Sequence, residues 1–289
     1  MQGYIAPPLS LQALDRRVAH LENTVNLAAS GHDRLWKWVV NAWRMSAVTY
    51  TRDRLTQAGR IARLPLEFRG QTGEDLFLHM LFDGAIDGTY LEVGAFDGYN
   101  LSVSYAFDAM GWNGILVEPV PPNFDLARER RPHAHIVNAA LSHPGATPTA
   151  TFLHVLDHYG THGGALSHLE AGAKQAVVTP NAYKEVKYQV SVRTMDSLLE
   201  SAPANITSKP LDFVSIDVEG HELDLLRGFS LDRWKPRVLV VEDNSSGAQR
   251  AVGDHIVASG YVAVFALEFN VFYIHKDETA LLKRAAEVF

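Results

Sequence analysis

The chain has no cysteine in 289 residues. That excludes disulfides, thiolate zinc sites and cysteine nucleophiles. It also has no run of about 18 apolar residues, the length a helix needs to cross a bilayer. The start, Met1-Gln-Gly-Tyr-Ile-Ala-Pro-Pro, lacks the basic flank and apolar core of a secretory signal. A cytoplasmic location is the expectation, with peripheral membrane contact as a variant of it. No nucleic-acid partner is expected. What is present is the balance of a soluble globular protein, 47% apolar and 20% charged. The length suits one large domain, or one domain plus an appendage.

The net charge of −7 is unevenly spread. Residues 31–70 hold eight Lys/Arg and three Asp/Glu, so the remainder carries −12. A basic segment on an acidic body suits an anionic or lipid-linked acceptor. A solvated helix face explains it equally well.

Within Leu9–Ala29, residues Leu11, Leu14, Val18, Leu21, Val25 and Ala28 step 3-4-3-4-3. That seam predicts an amphipathic helix able to pair subunits into a homo-oligomer. Arg34–Gln57 predicts a second helix, with Trp36, Val40, Trp43 and Ala47 on one stripe. Residues 58–70 read as a linker. A third helix is expected over Gln71–Phe82, with Thr72 as N-cap. The division expected is a helical segment, 1–69, for oligomerisation or docking, and a catalytic domain, 70–289.

From there strand and helix patterns alternate, which indicates a parallel sheet with helices on both faces. Strands are expected at Thr89–Gly94, Gly114–Glu118, His135–Ala139, Leu211–Asp217, Arg237–Glu242, Tyr261–Ala266 and Val271–His275, the last two as a hairpin. Helices are expected at Asn100–Met110, Pro122–Arg131, Met195–Ser201, Glu219–Phe229 and Ser245–Ser259, with a tail helix from Glu278. Residues 141–192 interrupt this rhythm as an insertion, read as an acceptor-binding region. It holds His154, His158, His162 and His168, more in keeping with an acceptor loop than with zinc, because Gly160, Gly163 and Gly164 break helical spacing.

The stretch Tyr90–Asn100 organises the rest. A strand runs into Gly94, turns through Asp97-Gly98 and opens a helix. Two glycines at such a turn let a ligand approach the backbone closely. Glu92 is a carboxylate inside an apolar strand and needs a partner. Glu118, twenty residues past Gly98, ends the second strand, where an acid can grip both ribose hydroxyls of a nucleoside. A dinucleotide dehydrogenase is the competing reading, but the spacing here is Gly-x-x-x-Gly rather than G-x-G-x-x-G.

A second constellation is Asp217 with Glu242-Asp243. These end the fourth and fifth strands, so their side chains converge at the carboxyl edge. Hard oxygen donors there suit Mg²⁺. Ordinary capping or pairing is an equally good reading. His221 and Glu219 follow Asp217 and are candidates to take a hydroxyl proton.

Several motifs together resemble one family. These are Glu-Val-Gly-Ala-Phe-Asp-Gly at 92–98, Val-Glu-Pro at 117–119, Asn-Ala-Ala-Leu-Ser at 138–142, Arg-Thr-Met-Asp-Ser-Leu-Leu at 193–199, and Ile-Asp-Val-Glu-Gly-His-Glu-Leu-Asp-Leu-Leu at 216–226. They resemble the FkbM family of S-adenosylmethionine-dependent methyltransferases over roughly residues 70–275. Position 221 is His where the family often has Ala, and His143 stands where Asp is frequent. The resemblance implies a class I methyltransferase (Rossmann-like) α/β fold, with a seven-stranded sheet of order 3-2-1-4-5-7-6. It implies O-methylation, commonly of a sugar hydroxyl in a glycan, glycolipid or natural product. It places Glu92, Gly94, Phe96, Asp97, Gly98 and Asn100 of the turn against S-adenosyl-L-methionine. Glu118, Pro119, Asn138 and Ala139 join them from the next two strand tips. The catalytic candidates are His221, Asp217 and Glu219; the metal candidates are Asp217, Glu242 and Asp243. The alternative is a methyltransferase-like binding or scaffold module without turnover.

Overall fold

The computed structural model describes residues 35–156, 168–169, 184–243 and 250–288. The Leu9–Ala29 helix, His158 and His162 lie outside the described residues, and His168 is described only as strand backbone. The chain divides into two compact units, Met1–Met45 and Ser46–Phe289. In the first, residues 35–45 are helical. All that follows concerns the second, which therefore takes in the basic residues from 46 to 70.

Its elements begin with a helix over residues 46–57 (α1), then α2 (Glu74–Leu81), β1 (Thr89–Val93), α3 (Tyr105–Met110), β2 (Asn113–Val117), α4 (Pro121–Arg130) and β3 (His135–Val137). Next come four strands of the insertion: β4 (Ala140–Leu141), β5 (Thr149–Leu156), β6 (His168–Leu169) and β7 (Lys184–Arg193). After them run α5 (Met195–Ser201), α6 (Ala204–Thr207), β8 (Phe213–Ile216), α7 (Glu222–Arg227), α8 (Leu231–Trp234) and β9 (Val238–Glu242). The chain closes with α9 (Ala251–Ala258), β10 (Tyr261–Leu267), β11 (Asn270–His275) and α10 (Thr279–Val288).

The main sheet has the order β3-β2-β1-β8-β9-β11-β10. Counting only its own strands along the chain, that is 3-2-1-4-5-7-6. All neighbours are parallel except β11, which is antiparallel to β9 and β10. This is the class I methyltransferase arrangement. Its central strands are apolar runs because helices cover both faces. Strand alternation sorts the core into two layers. Leu91, Ile115, Val214 and Leu239 join one cluster with Leu198, Leu225 and Ile256 from the helices. On the opposite side Tyr90 stacks on Phe213, which meets Phe107 edge-on.

The insertion forms its own four-stranded sheet, β4-β7-β5-β6. β4 and β6 are two residues each, too short for a periodic pattern.

Three expected helix starts shift, each for a local reason. α3 begins at Tyr105, not Asn100, because the Ser102 hydroxyl, the Val103 N–H and the Ser104 N–H and hydroxyl all donate to Glu92 instead. α7 begins at Glu222, not Glu219, because Glu219 and Gly220 both take a left-handed backbone. α2 is capped by Gly73 at φ 110°; Thr72 instead donates through its hydroxyl to Glu74. The stretch read as a linker is packed. Leu66 and Phe68 are buried, and the Arg60 guanidinium sits on the Met110 carbonyl at the C-terminal end of α3.

Packed interior also carries a pH consequence. His79 of α2 is 4% exposed, bonds Thr51 through its Nε2 at 2.9 Å and meets the ring edge of Phe68. Burial lowers its pKa to about 4, opposed in part by Asp83. An unfolded chain therefore binds a proton that the folded chain refuses. The stability held by neutral His79 is complete above its unfolded pKa and disappears as pH falls toward 4. About 3 kcal/mol should be lost over that window. Urea denaturation at pH 7 and pH 4.5 measures it, and His79→Gln should remove that part of the slope. A wild type and variant with parallel pH profiles would contradict the assignment.

Candidate active site

A cavity of about 500 Å³ opens at the carboxyl edge of the main sheet. This is the edge where parallel α/β sheets bind ligands, because the crossover loops part there. The tips of β1, β2, β8 and β9 meet at it. The β10–β11 turn, the segment before α2 and the insertion sheet complete the wall.

Gly94, at φ 82°, ends β1 in the cavity wall. A Cβ there would collide with the Asp217 carbonyl oxygen. Its bare backbone thus lets the β1 and β8 tips close on each other. Gly98, at φ 73°, packs against Ala127 and Arg131 of the α4 region and does not line the cavity. Both glycines serve an approach of chain to chain; Gly94 also keeps the place in the cavity wall that the sequence suggested for it, and Gly98 does not.

Asp97 is likewise turned inward. Its carboxylate accepts from the Tyr99 and Asn100 N–H groups and pairs with Arg130. Glu92, Phe96 and Asn100 do face the cavity. Glu92 already holds the start of the α3 segment through the four donors named above. Arg131 backs this layer, fully buried. It pairs with Asp108 at 2.6 Å and donates to the Tyr90 hydroxyl, the Gly98 carbonyl and the Ser104 hydroxyl.

Glu118 is 4% exposed at the β2 tip and lines the cavity with Pro119. It accepts the Phe96 N–H at 2.9 Å and the Val120 N–H at 2.8 Å, which aims it without help from a ligand. Burial pushes its pKa up to about 8, against those two bonds and one from Asn123. Ala139 faces the cavity too. Asn138 does not; its amide donates to the Glu118 and Pro119 carbonyls and so holds the β2 and β3 tips together.

Asp217, Glu219 and Glu242 form one group, with a carboxylate oxygen of each within 4.8 Å of the others. Asp217 is open to the cavity yet walled by protein, so burial is the main force raising its pKa. It shares a hydrogen bond with Glu242, whose pKa is pushed up by burial and then by Asp217. Both pKa values are raised, so the two carboxyls share a proton between them. Glu219, held at φ 53°, is raised to about 8 by burial, then by Asp217 and Glu222. Asp243 is not in this group. It lies one residue past the end of β9, and its N–H meets the Phe269 carbonyl. His221 lines the cavity, with Nε2 at 3.1 Å from the Ser142 hydroxyl and Nδ1 at 3.7 Å from Asp224. Burial lowers its pKa, against Asp224 and with His143, so it is neutral at pH 7.

The sequence reading missed one sector. Gln71, Glu74, Leu101, Phe269 and Asn270 also line the cavity. The signal was available in part: a short turn joining the last two strands falls at the carboxyl edge if the first of them runs parallel to β9. From the insertion, Phe152 and Leu169 reach the cavity, while buried His154 does not. The basic residues Arg52, Arg54 and Arg63 are exposed and lie away from it.

A family model described as the methyltransferase FkbM domain matches residues 92–263. No curated protein matches the chain. Among solved structures, an O-methyltransferase from Bacillus cereus in complex with SAH is 12% identical, covering 79% of this chain and 89% of that one at a TM-score of 0.38. A putative O-methyltransferase from Klebsiella pneumoniae is 11% identical, covering 84% and 98% at a TM-score of 0.39. The precorrin-6y C5,15-methyltransferase from Geobacter metallireducens GS-15 is 14% identical, covering 74% and 91% at a TM-score of 0.36. The family match spans more than half of the chain and includes the glycine turn, Glu118 and the carboxylate group: the chain belongs to the FkbM family of S-adenosylmethionine-dependent methyltransferases.

Proposed function

We propose that this protein is an O-methyltransferase acting on a sugar hydroxyl in a glycan, glycolipid or natural product. The observation that carries the reading is the convergence of Asp217, Glu219 and Glu242 in the cavity that also holds Glu118. S-adenosylmethionine, when bound, supplies an electrophilic methyl on its sulfonium. The residues present fit it. Glu118 is pre-aimed by two backbone N–H groups and has lone pairs left for a ribose diol. Hydroxyls donating to it would favour its ionised form. Small Ala139 and Ala140 leave room beside it for a flat base. The acceptor oxygen must lose one proton as it attacks, so a base within reach and correct positioning are what the protein contributes. Glu219 is that base in this reading, since its raised pKa suits proton uptake near neutral pH. A proton shared by Asp217 and Glu242 keeps the group from repelling itself.

A second reading has Mg²⁺ at the same place. Three hard oxygen donors at this spacing fit the ion, and Asp217, Glu219 and Glu242 would hold it. The ion would then lower the pKa of the acceptor hydroxyl.

Isothermal titration with S-adenosylhomocysteine, with and without Mg²⁺, tests the cofactor site. Wild type should bind, and Glu118→Ala should bind about 100-fold more weakly through loss of two hydrogen bonds to a charged group. Equal binding by both proteins would remove Glu118 from the site. Absence of binding by wild type would bring the non-catalytic binding module forward. For the metal, turnover that survives EDTA supports Glu219 alone, whereas turnover abolished by EDTA and restored by Mg²⁺ supports the ion.

A further inference from the structure

The missed sector of the cavity has a construction of its own. The segment before α2 is a strap that ties two distant pieces of rim. At one end Gly70 bridges to Leu101; at the other the Asn270 amide donates to Glu74 at 2.9 Å. Glu74 is itself fixed, accepting the Thr72 and Gly73 N–H groups. The strap thus sets Leu101, Gln71, Asn270 and Phe269 in one arc. Of these, Gln71, Phe269 and Asn270 fall outside residues 92–263, the stretch that the family shares.

Two members of the arc are exposed large apolar side chains. Leu101 is 49% and Phe269 47% exposed, although each lines the cavity. Both are held by unusual backbone. Leu101 has φ 60°, and Glu268, which begins the two-residue turn carrying Phe269, has φ 51°. Left-handed backbone at residues with side chains is uncommon and, where found, directs attention to function. The Phe269 carbonyl accepts the Asp243 N–H, which pins the turn to the end of β9. An apolar ring therefore stands at the cavity on a pinned turn, next to Asn270, the strand partner of Glu242.

Charge narrows the occupant. The described lining residues include Glu74, Glu92, Glu118, Asp217, Glu219 and Glu242, and among them there is no Lys or Arg. Among the described lining residues, an acceptor carrying phosphate or carboxylate at this place would meet carboxylates with no Lys or Arg beside them. An uncharged ring with an apolar face and peripheral hydroxyls meets an aromatic platform edged by amides and hydrogen-bond acceptors.

Building on the methyl-transfer reading above, we propose that this arc is the acceptor subsite. It takes an uncharged pyranose, with the apolar face of the sugar on Phe269 and its hydroxyls toward Gln71, Asn270 and the carboxylates. An anionic group elsewhere on a larger acceptor stays outside the cavity.

Saturation-transfer NMR on the full chain with S-adenosylhomocysteine present tests this. The probes are the methyl pyranosides of glucose, galactose and mannose and their uronate counterparts. At least one neutral pyranoside should bind, with its uronate at least about tenfold weaker. Phe269→Ala should weaken the neutral sugar about tenfold, and Phe269→Tyr should retain it. Phe269→Ala should still bind S-adenosylhomocysteine as wild type does, which shows that the fold is intact. The proposal is overturned if the uronate binds as well as the neutral sugar, if Phe269→Ala is without effect, or if no pyranoside binds. Pyranoside binding without any S-adenosylhomocysteine binding would overturn the methyl-transfer reading and leave the subsite standing.

Discussion

Glu219→Gln is expected to lower kcat by about 10²–10⁴-fold, the usual contribution of a positioned general base. Affinity for S-adenosylhomocysteine should stay at the wild-type value, because Glu118 and the β1 tip are untouched. The substitution keeps the size of the side chain and its left-handed backbone while removing the basic oxygen. Wild-type kcat should rise with pH and level off above about 8, where Glu219 is ionised. The sign follows from the role: a base works in its deprotonated form, and burial has moved that form to higher pH. The variant should lack this limb. Single-turnover methyl transfer to the acceptor that wild type uses measures both quantities. A variant retaining wild-type kcat would move the base to His221, whose Nδ1 faces Asp224 while its Nε2 is engaged with Ser142.

Arg131→Met should destabilise the fold by about 3–5 kcal/mol, the cost of removing one partner from a buried ion pair. Arg131 and Asp108 are both fully buried, so Asp108 would be left as an uncompensated charge. The same change releases the Tyr90 hydroxyl, the Gly98 carbonyl and the Ser104 hydroxyl at once. Those groups hold the turn and the Glu92 layer, so S-adenosylhomocysteine affinity should fall as well. Chemical denaturation gives the stability. The double variant Arg131→Met with Asp108→Leu should recover part of the loss, because no charge is then stranded. A double variant as unstable as the sum of the two single changes would show that the pair is not what stabilises this layer.

The strand-to-helix rhythm, the order of strand tips and the identity of the acids at those tips were legible in the chain. Local apolar runs specify strands, and a parallel sheet sends its carboxyl ends to one edge. Glu118, Asp217 and Glu242 could therefore be placed together without coordinates. Family motifs led to the same cavity from residue identity alone.

What the chain did not disclose depends on side chains competing for backbone groups. Glu92 was expected to need a partner and does line the cavity, but its partners are the donors that would have begun a helix at Asn100. Asp97 and Gly98 sit within the motif yet turn inward, toward Arg130 and α4. Asp243 is adjacent to Glu242 in sequence yet does not join its carboxylate group. Gln71 and Asn270 are about 200 positions apart, and no pattern in a sequence couples them.

By itself the sequence determined the fold class, the sheet edge that carries the site and the acids available there, because periodicity and strand-end position are local properties. Only the tertiary structure decided which acids share one group, which glycines serve packing, and that Phe269 stands over the cavity. Those depend on how separate segments close on one another, and on which of the competing hydrogen bonds survives when they do.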